Sequence, residues 1–211
     1  MSDLDIKDQY YTIAAPAEGR LTIQRSRFLG YSYPISSTEE AENIVKNLRQ
    51  KDFYDATHVC YAYALGLDRG SSRMDDNGEP NGTAGRPIYA QLLKKNLSDV
   101  LLVVVRYFGG VKLGTSGLIK AYGECASLAL EAAKIKEILL YDMLEIHFEP
   151  NLTGIVMNIL NKQQGSILSQ DYSQDKIVVQ YKIRQSQTNM IVKKMAQIFG
   201  VLIKKVLPLQ A

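Results

Sequence analysis

The stretch Val100-Leu101-Leu102-Val103-Val104-Val105-Arg106-Tyr107-Phe108-Gly109-Gly110-Val111-Lys112-Leu113-Gly114-Thr115-Ser116-Gly117 decides the fold class. Its first part is a short apolar run, far below the ~20 residues that span a bilayer, and it reads as a buried strand over 99–107. Phe108 to Gly114 follows as a glycine loop. Thr115 or Ser116 then caps a helix expected to run to about Lys134. That helix is rich in small residues (Gly117, Ala121, Gly123, Ala126, Ala129, Ala133), which let it lie close to a sheet. A strand that feeds a helix through glycines places the chain among proteins that combine sheet and helix, and with the βαββαβ order read below the expected class is α+β.

Upstream, Tyr10–Ala14 and Leu21–Ile35 are β-branched and aromatic, and predict an N-terminal hairpin or meander. Ser37 or Thr38 with Glu39 and Glu40 marks a helix start, because acids favour the positive end of the helix dipole. That helix runs to about Lys51, with Ala41, Ile44, Val45 and Leu48 inward. His58–Leu67 is read as a strand. Asp68–Pro87, dense in Gly, Asp, Asn, Ser and Pro, is expected to be a long loop, and Pro87 suits the first turn of a helix to about Asn96.

Downstream the rhythm changes. Ile138–Phe148 reads as a strand and Asn151–Gln163 as a helix with Ile155, Val156, Ile159 and Leu160 inward, closed by a left-handed Gly165. Ser166–Tyr172 and Lys176–Ile183 form a hairpin around Ser173-Gln174-Asp175. Ser186–Phe199 is a second helix ended by Gly200, and Val201–Leu207 is the last strand. The order βαββαβ is the split-βαβ, ferredoxin-like pattern. Two domains are expected, 1–136 and 137–211.

The chain has 211 residues, 46% of them hydrophobic, enough for a real core in each domain. The N-terminal residues Met1-Ser2-Asp3-Leu4-Asp5 are acidic and polar, unlike a signal or transit peptide, so a soluble cytoplasmic protein without membrane contact is expected. The two cysteines, Cys60 and Cys125, form no CxxC, and both read as buried residues rather than zinc ligands or a disulfide. Formal net charge is +3. Beyond Tyr172 the chain carries Lys176, Lys182, Arg184, Lys193, Lys194, Lys204 and Lys205 against Asp175, either a solvated lysine face or a surface that attracts nucleic acid.

Two loops carry candidate chemistry. In the glycine loop, free N–H groups at a helix start favour an anion, Gly109, Gly110 and Gly114 allow close approach, and Arg106 and Lys112 supply charge beside Thr115 and Ser116. A tight turn packed against its neighbours needs the same glycines. The loop is not a Walker motif, since Thr115 stands where lysine is required, and no GxGxxG occurs. The other stretch, Asp75 to Pro87, mixes Asp75, Asp76 and Glu79 with glycines. It departs from the EF-hand pattern, so turn capping, with Arg86 paired to a carboxylate, is preferred to a metal site. His58 lies near Asp55 in sequence, and Cys60 shares its strand face; a satisfied, half-buried histidine is preferred to a Cys/His nucleophile pair. His147 has no carboxylate partner in its motif. No cofactor is expected. The Gly109–Gly117 and Gly82–Arg86 segments are predicted to face one another as an anion-binding cleft.

The motif set resembles the IMPACT/YigZ family. Val103 to Gly114, with Arg106-Tyr107-Phe108-Gly109-Gly110 and Lys112-Leu113-Gly114, is similar to that family's signature. Further matches are Ser26-Arg27-Phe28, Asp55-Ala56-Thr57-His58 with Cys60-Tyr61-Ala62, Asp76-Asn77-Gly78-Glu79-Pro80 and Gly82-Thr83-Ala84-Gly85-Arg86-Pro87. The resemblance implies an IMPACT-type first domain built like the second domain of ribosomal protein S-five. It also implies a second domain like the last domain of the translocation elongation factor. Eukaryotic relatives restrain the amino-acid-starvation response through an additional RWD module, which is not expected ahead of Ser26 in this chain. The resemblance brings no catalytic residues with it. The expected function is regulation of translation by binding RNA, the ribosome or a translation factor, through the glycine-rich basic loop and the basic second domain, including Lys193 and Lys194. The alternatives are an enzyme acting on a phosphorylated or nucleotide substrate in the loop cleft, and a protein-interaction module.

Overall fold

The computed structural model describes residues 7–173 and 175–206. The chain divides into two compact units, one of residues 10–138 and the other of residues 7–9 and 139–206. It is a mixed α+β protein.

In the first unit, β1 (Gln9–Ile13), β2 (Ala17–Ile23), β3 (Ser26–Pro34), α1 (Thr38–Asn47), β4 (His58–Leu65), β5 (Ser71–Asp75), α2 (Gly85–Lys94), β6 (Val100–Tyr107), α3 (Gly114–Glu131) and β7 (Ile135–Leu139) follow in order. Five strands form an antiparallel sheet in the order β2-β3-β6-β4-β5. β6 is central, and it is buried on both faces. Val100, Leu102 and Val104 pack with Ile88 and Leu92 of α2 and with Leu118, Tyr122 and Leu130 of α3. Leu101, Val103 and Val105 pack with Val45 of α1 and Tyr61 of β4. A strand covered on both sides shows no polar alternation, which is why its sequence reads as an unbroken apolar run.

The second unit contains β8 (Tyr141–Phe148), α4 (Thr153–Asn161), β9 (Ser166–Tyr172), β10 (Ile177–Arg184), α5 (Gln185–Ala196) and β11 (Leu202–Val206). Its antiparallel sheet has the order β11-β8-β10-β9, the split-βαβ arrangement. Leu144, Ile146 and Phe148 face Val156, Leu160, Ile191 and Met195 of the two helices.

Several expectations change. The stretch read as one loop over 68–87 contains β5, whose Ser-Ser-Arg-Met side chains are exposed; an edge strand held by backbone bonds offers no apolar pattern to read. β1 does not join a meander with β2 and β3 but pairs with β7. The strand read over 138–148 is two strands, broken at Leu140, whose N–H donates to the Asp8 carbonyl and whose carbonyl accepts from Gln185 N–H. α1 continues as a π turn over Leu48–Asp52. A 3₁₀ turn, Pro150–Leu152, precedes α4, and Ile155 is 49% exposed rather than inward. Gly165 is not left-handed. A Cβ there would lie 2.3 Å from the Tyr181 ring, so the residue is glycine for close approach. Gly200, expected to end α5, lies beyond its last residue and is left-handed, at φ +89°. The readings of Gln174, Leu207 and the first five residues lie outside the described residues. Among the described residues, no helix is long and apolar enough to cross a membrane.

Candidate functional site

β6 delivers Arg106 on the α2/α3 face of the sheet and then releases the chain into the glycine loop. Two hydroxyls fix that loop: Phe108 N–H donates to Thr57 Oγ1 at 3.0 Å and Gly109 N–H to Ser26 Oγ at 3.1 Å. Gly109 lies flat on the β2–β3 turn, where a Cβ would meet Arg25 backbone carbon at 2.1 Å. Gly110 and Gly114 are left-handed, at φ +85° and +70°. α3 starts at Gly114, and no side chain caps it and no acid lies in its first turn. Thr115 and Ser116 therefore belong to the first turn, not to the cap position expected of them.

The acidic stretch is mostly internal scaffolding. Asp75 Oδ1 accepts from Asn77 N–H at 2.8 Å and pairs with Arg49 at 3.2 Å. Asp76 accepts from the N–H groups of Gly82, Ala84 and Gly85 at 2.8–2.9 Å, so its carboxylate occupies the start of α2. Burial pushes that carboxyl up, but the three N–H donors and the Arg86 charge outweigh it and hold it below the ordinary value. Asn77 then ties the turn to β4. Its side-chain oxygen accepts from Val59 N–H, and its carbonyl accepts from His58 Nδ1, both at 2.7 Å. Because a carbonyl only accepts, Nδ1 carries the proton in the neutral ring, which leaves Nε2 as an acceptor in that form.

Glu79 is the one carboxylate of this stretch that turns toward the glycine loop. Its Oε1 accepts from Arg106 Nη1 at 2.6 Å and from the Tyr122 hydroxyl at 2.8 Å, with His58 Nε2 3.8 Å away. Arg106 is 5% exposed, its guanidinium lying between the rings of Phe28 (5.5 Å) and Phe108 (5.4 Å). Nη2 reaches Ser26 Oγ at 3.4 Å, whereas Nε has no hydrogen-bond partner among the described residues. Burial, and then Cys60 and Glu79, push the Tyr122 hydroxyl far above its ordinary range. Burial pushes the Cys60 thiol up to about 12, and Sγ donates to the Asp76 carbonyl at 3.0 Å. A buried thiol whose proton goes to a carbonyl is a poor nucleophile, which disfavours the Cys/His pair.

A cavity of about 490 Å³ opens over this cluster, lined by His58, Glu79, Arg106, Phe108, Lys112 and Thr115, together with Thr57, Pro80, Leu113, Gly114 and Leu118. The two motif loops do converge, but through Glu79-Pro80. Gly82 and Arg86 instead line a separate groove of about 690 Å³ between α2 and α3. Asp55, expected near His58, accepts from the Tyr107 hydroxyl at 2.9 Å. Ser116 is exposed and outside the cavity lining. Lys193 and Lys194 end α5 in the second unit, where Lys205 pairs with Asp142 and Lys182 stands 4.3 Å over the Tyr141 ring. His147 does have a carboxylate partner, Glu145, at 2.6 Å on the same strand face. No group of three or more potential metal ligands occurs among the described residues. Sequence reasoning missed Tyr122 and Ser26 as parts of the cluster. Tyr122 sits mid-helix with nothing beside it to mark it, whereas Ser26 stood in a quoted motif without an assigned partner.

An antiparallel five-stranded sheet covered on both faces, carrying a polar cavity at the exit of its central strand and joined in sequence to a split-βαβ module, defines the class. The family model of the Impact N-terminal domain matches residues 24–130. IMPACT family member YvyE of Bacillus subtilis is 32% identical over 189 residues, 90% of this chain and 86% of that protein. IMPACT family member YigZ of Escherichia coli is 37% identical over 163 residues, 75% of this chain and 78% of that protein. Protein IMPACT of Oryctolagus cuniculus is 29% identical over 96 residues, 44% of this chain and 30% of that protein. A crystal structure of a hypothetical protein superposes with TM-score 0.65 at 26% identity, covering 96% of this chain and 100% of that one. The chain belongs to the IMPACT family.

Proposed function

We propose that the protein acts in translation or its regulation by binding RNA, with the phosphate contact at the 490 Å³ cavity. One observation carries the reading. Of the two cations in the cavity, Arg106 is neutralised by Glu79, whereas Lys112 is exposed and has no acidic partner among the described residues. It stands beside the uncapped, acid-free start of the 18-residue helix α3. That arrangement asks for an anion from outside the protein. The setting in translation comes from the family resemblance. The exposed Lys194 and Lys204 of the second unit add charge of the same sign.

The test is fluorescence anisotropy with single-stranded RNA over a salt series. The expected log–log slope is about −0.7 per phosphate contact, and Lys112→Ala weakens binding across sequences and flattens the slope by about one contact. Unchanged affinity and slope in Lys112→Ala would remove this cavity as the contact surface.

A further inference from the structure

Three features of the cavity are more specific than a phosphate contact requires. Phe108 is 47% exposed, although its ring lies over the buried Arg106 guanidinium, 5.4 Å from its centre. An aromatic ring fixed from below and open above is a stacking surface for a base. His58 Nδ1 contacts the Asn77 carbonyl, so in the neutral ring the proton sits on Nδ1 and Nε2, near Glu79, is a hydrogen-bond acceptor open to a donor from the ligand. Arg106 Nε–H is buried and has no partner among the described residues, in a side chain that lines the same cavity. A buried donor left unpaired is costly, and a ligand oxygen or an ordered water answers it. The volume, about 490 Å³, lies in the range of small-molecule sites and is too confined for a run of stacked nucleotides.

We propose that the cavity holds one ribonucleotide unit, its base on Phe108, its phosphate at Lys112 and the start of α3, and a ribose hydroxyl donating to His58 Nε2. This rests on the RNA-binding reading and narrows it: the protein takes a single unit, free or at the end or flipped out of a chain, rather than tracking a backbone. Where that hydroxyl is the 2′-OH, it is the element that separates RNA from DNA at such a site.

The experiment uses the full chain and isothermal titration with the four ribonucleoside 5′-monophosphates, ribose 5-phosphate, inorganic phosphate and the matching 2′,3′-dideoxynucleoside 5′-monophosphates. Labelled single-stranded RNA is measured in parallel. At least one ribonucleotide is expected to bind saturably and more tightly than ribose 5-phosphate by about fivefold or more, the low end of base–aromatic stacking. Phe108→Ala is expected to close that gap; the side chain is exposed, so the fold should survive. The dideoxy ligand should bind more weakly than the ribonucleotide, and this arm tests His58 without altering the protein. If RNA binds but none of the four monophosphates does, the single-unit inference fails while the broader reading stands. If neither binds, both fail. If inorganic phosphate binds as tightly as every nucleotide, or the dideoxy ligand equals its ribonucleotide, the proposed pose is overturned.

Discussion

Glu79 and Arg106 lie 27 residues apart and meet at 2.6 Å, both side chains almost fully buried. One closes a polar turn and the other ends an apolar strand, so the pair joins the two motif loops to each other. A buried ion pair is costly to break from one side, because the remaining charge is stranded without water.

Glu79→Ala should therefore destabilise the protein by about 3–5 kcal/mol. Replacing both partners with apolar residues, as in Glu79→Leu with Arg106→Met, should recover a large part of that loss. Urea denaturation of the two variants measures it. Equal instability of the single and double variants would show that the pair's charges are not the issue.

Asp76 stabilises the start of α2, and Asp76→Ala should cost about 0.5–2 kcal/mol, the range for a lost helix cap. Its carboxyl lies below the ordinary value of 3.8 in the folded state. A lowered pKa contributes stability that is complete above the unfolded value and is lost as pH falls through the folded one. Wild-type stability should thus decline below about pH 4 more steeply than that of Asp76→Asn, read from urea midpoints across the acid range.

Gly109→Ala places a methyl group where Arg25 backbone already lies, and no side-chain rotation relieves it. A loss of about 1–3 kcal/mol is expected. RNA affinity should fall with it, since Phe108 and Lys112 flank the displaced residue. Thermal melts together with anisotropy on the same preparation check both effects.

Arg86→Ala should leave RNA affinity and salt slope unchanged, because Arg86 lines the α2/α3 groove instead of the cavity. A loss comparable to that of Lys112→Ala would move the phosphate contact to the other groove.

Cys60 and Cys125 should not react with a thiol-specific disulfide reagent in the native protein near neutral pH. Burial raises both thiols to about 12 and hides them from solvent. Both should react after unfolding in denaturant; rapid reaction of one thiol in the native state would contradict the position given to Cys60.

Much of the fold was legible in the sequence because its elements follow their own periodicity. Val100–Val105 announced a buried strand, and the second unit showed its βαββαβ order through turn residues. What escaped was set by partners rather than by pattern. β5 is polar and is a strand only because β4 offers backbone groups beside it. Gly165 yields to the Tyr181 ring of β10, not to its own dihedral angles. The glycine loop was read from the sequence as a candidate anion site, the reading proposed above. The neutralisation of Arg106 was not, since sequence distance hides Glu79, and Tyr122 carries no local mark at all.

The central position of β6 also governs how the chain can come together. β3 and β4 each pair with it in register over many residues, Arg27 opposite Tyr107 and His58 opposite Arg106, and both contacts are far from local. During synthesis the β2–β3 and β4–β5 hairpins can form early, but each then presents an unpaired edge until residues 100–107 emerge. A ribosome that stalls before that point leaves two hairpins ready to pair with strands of other chains. The arrival of β6 joins the two hairpins and assembles the cavity in the same step, because the strand that seals the sheet carries Arg106 to Glu79.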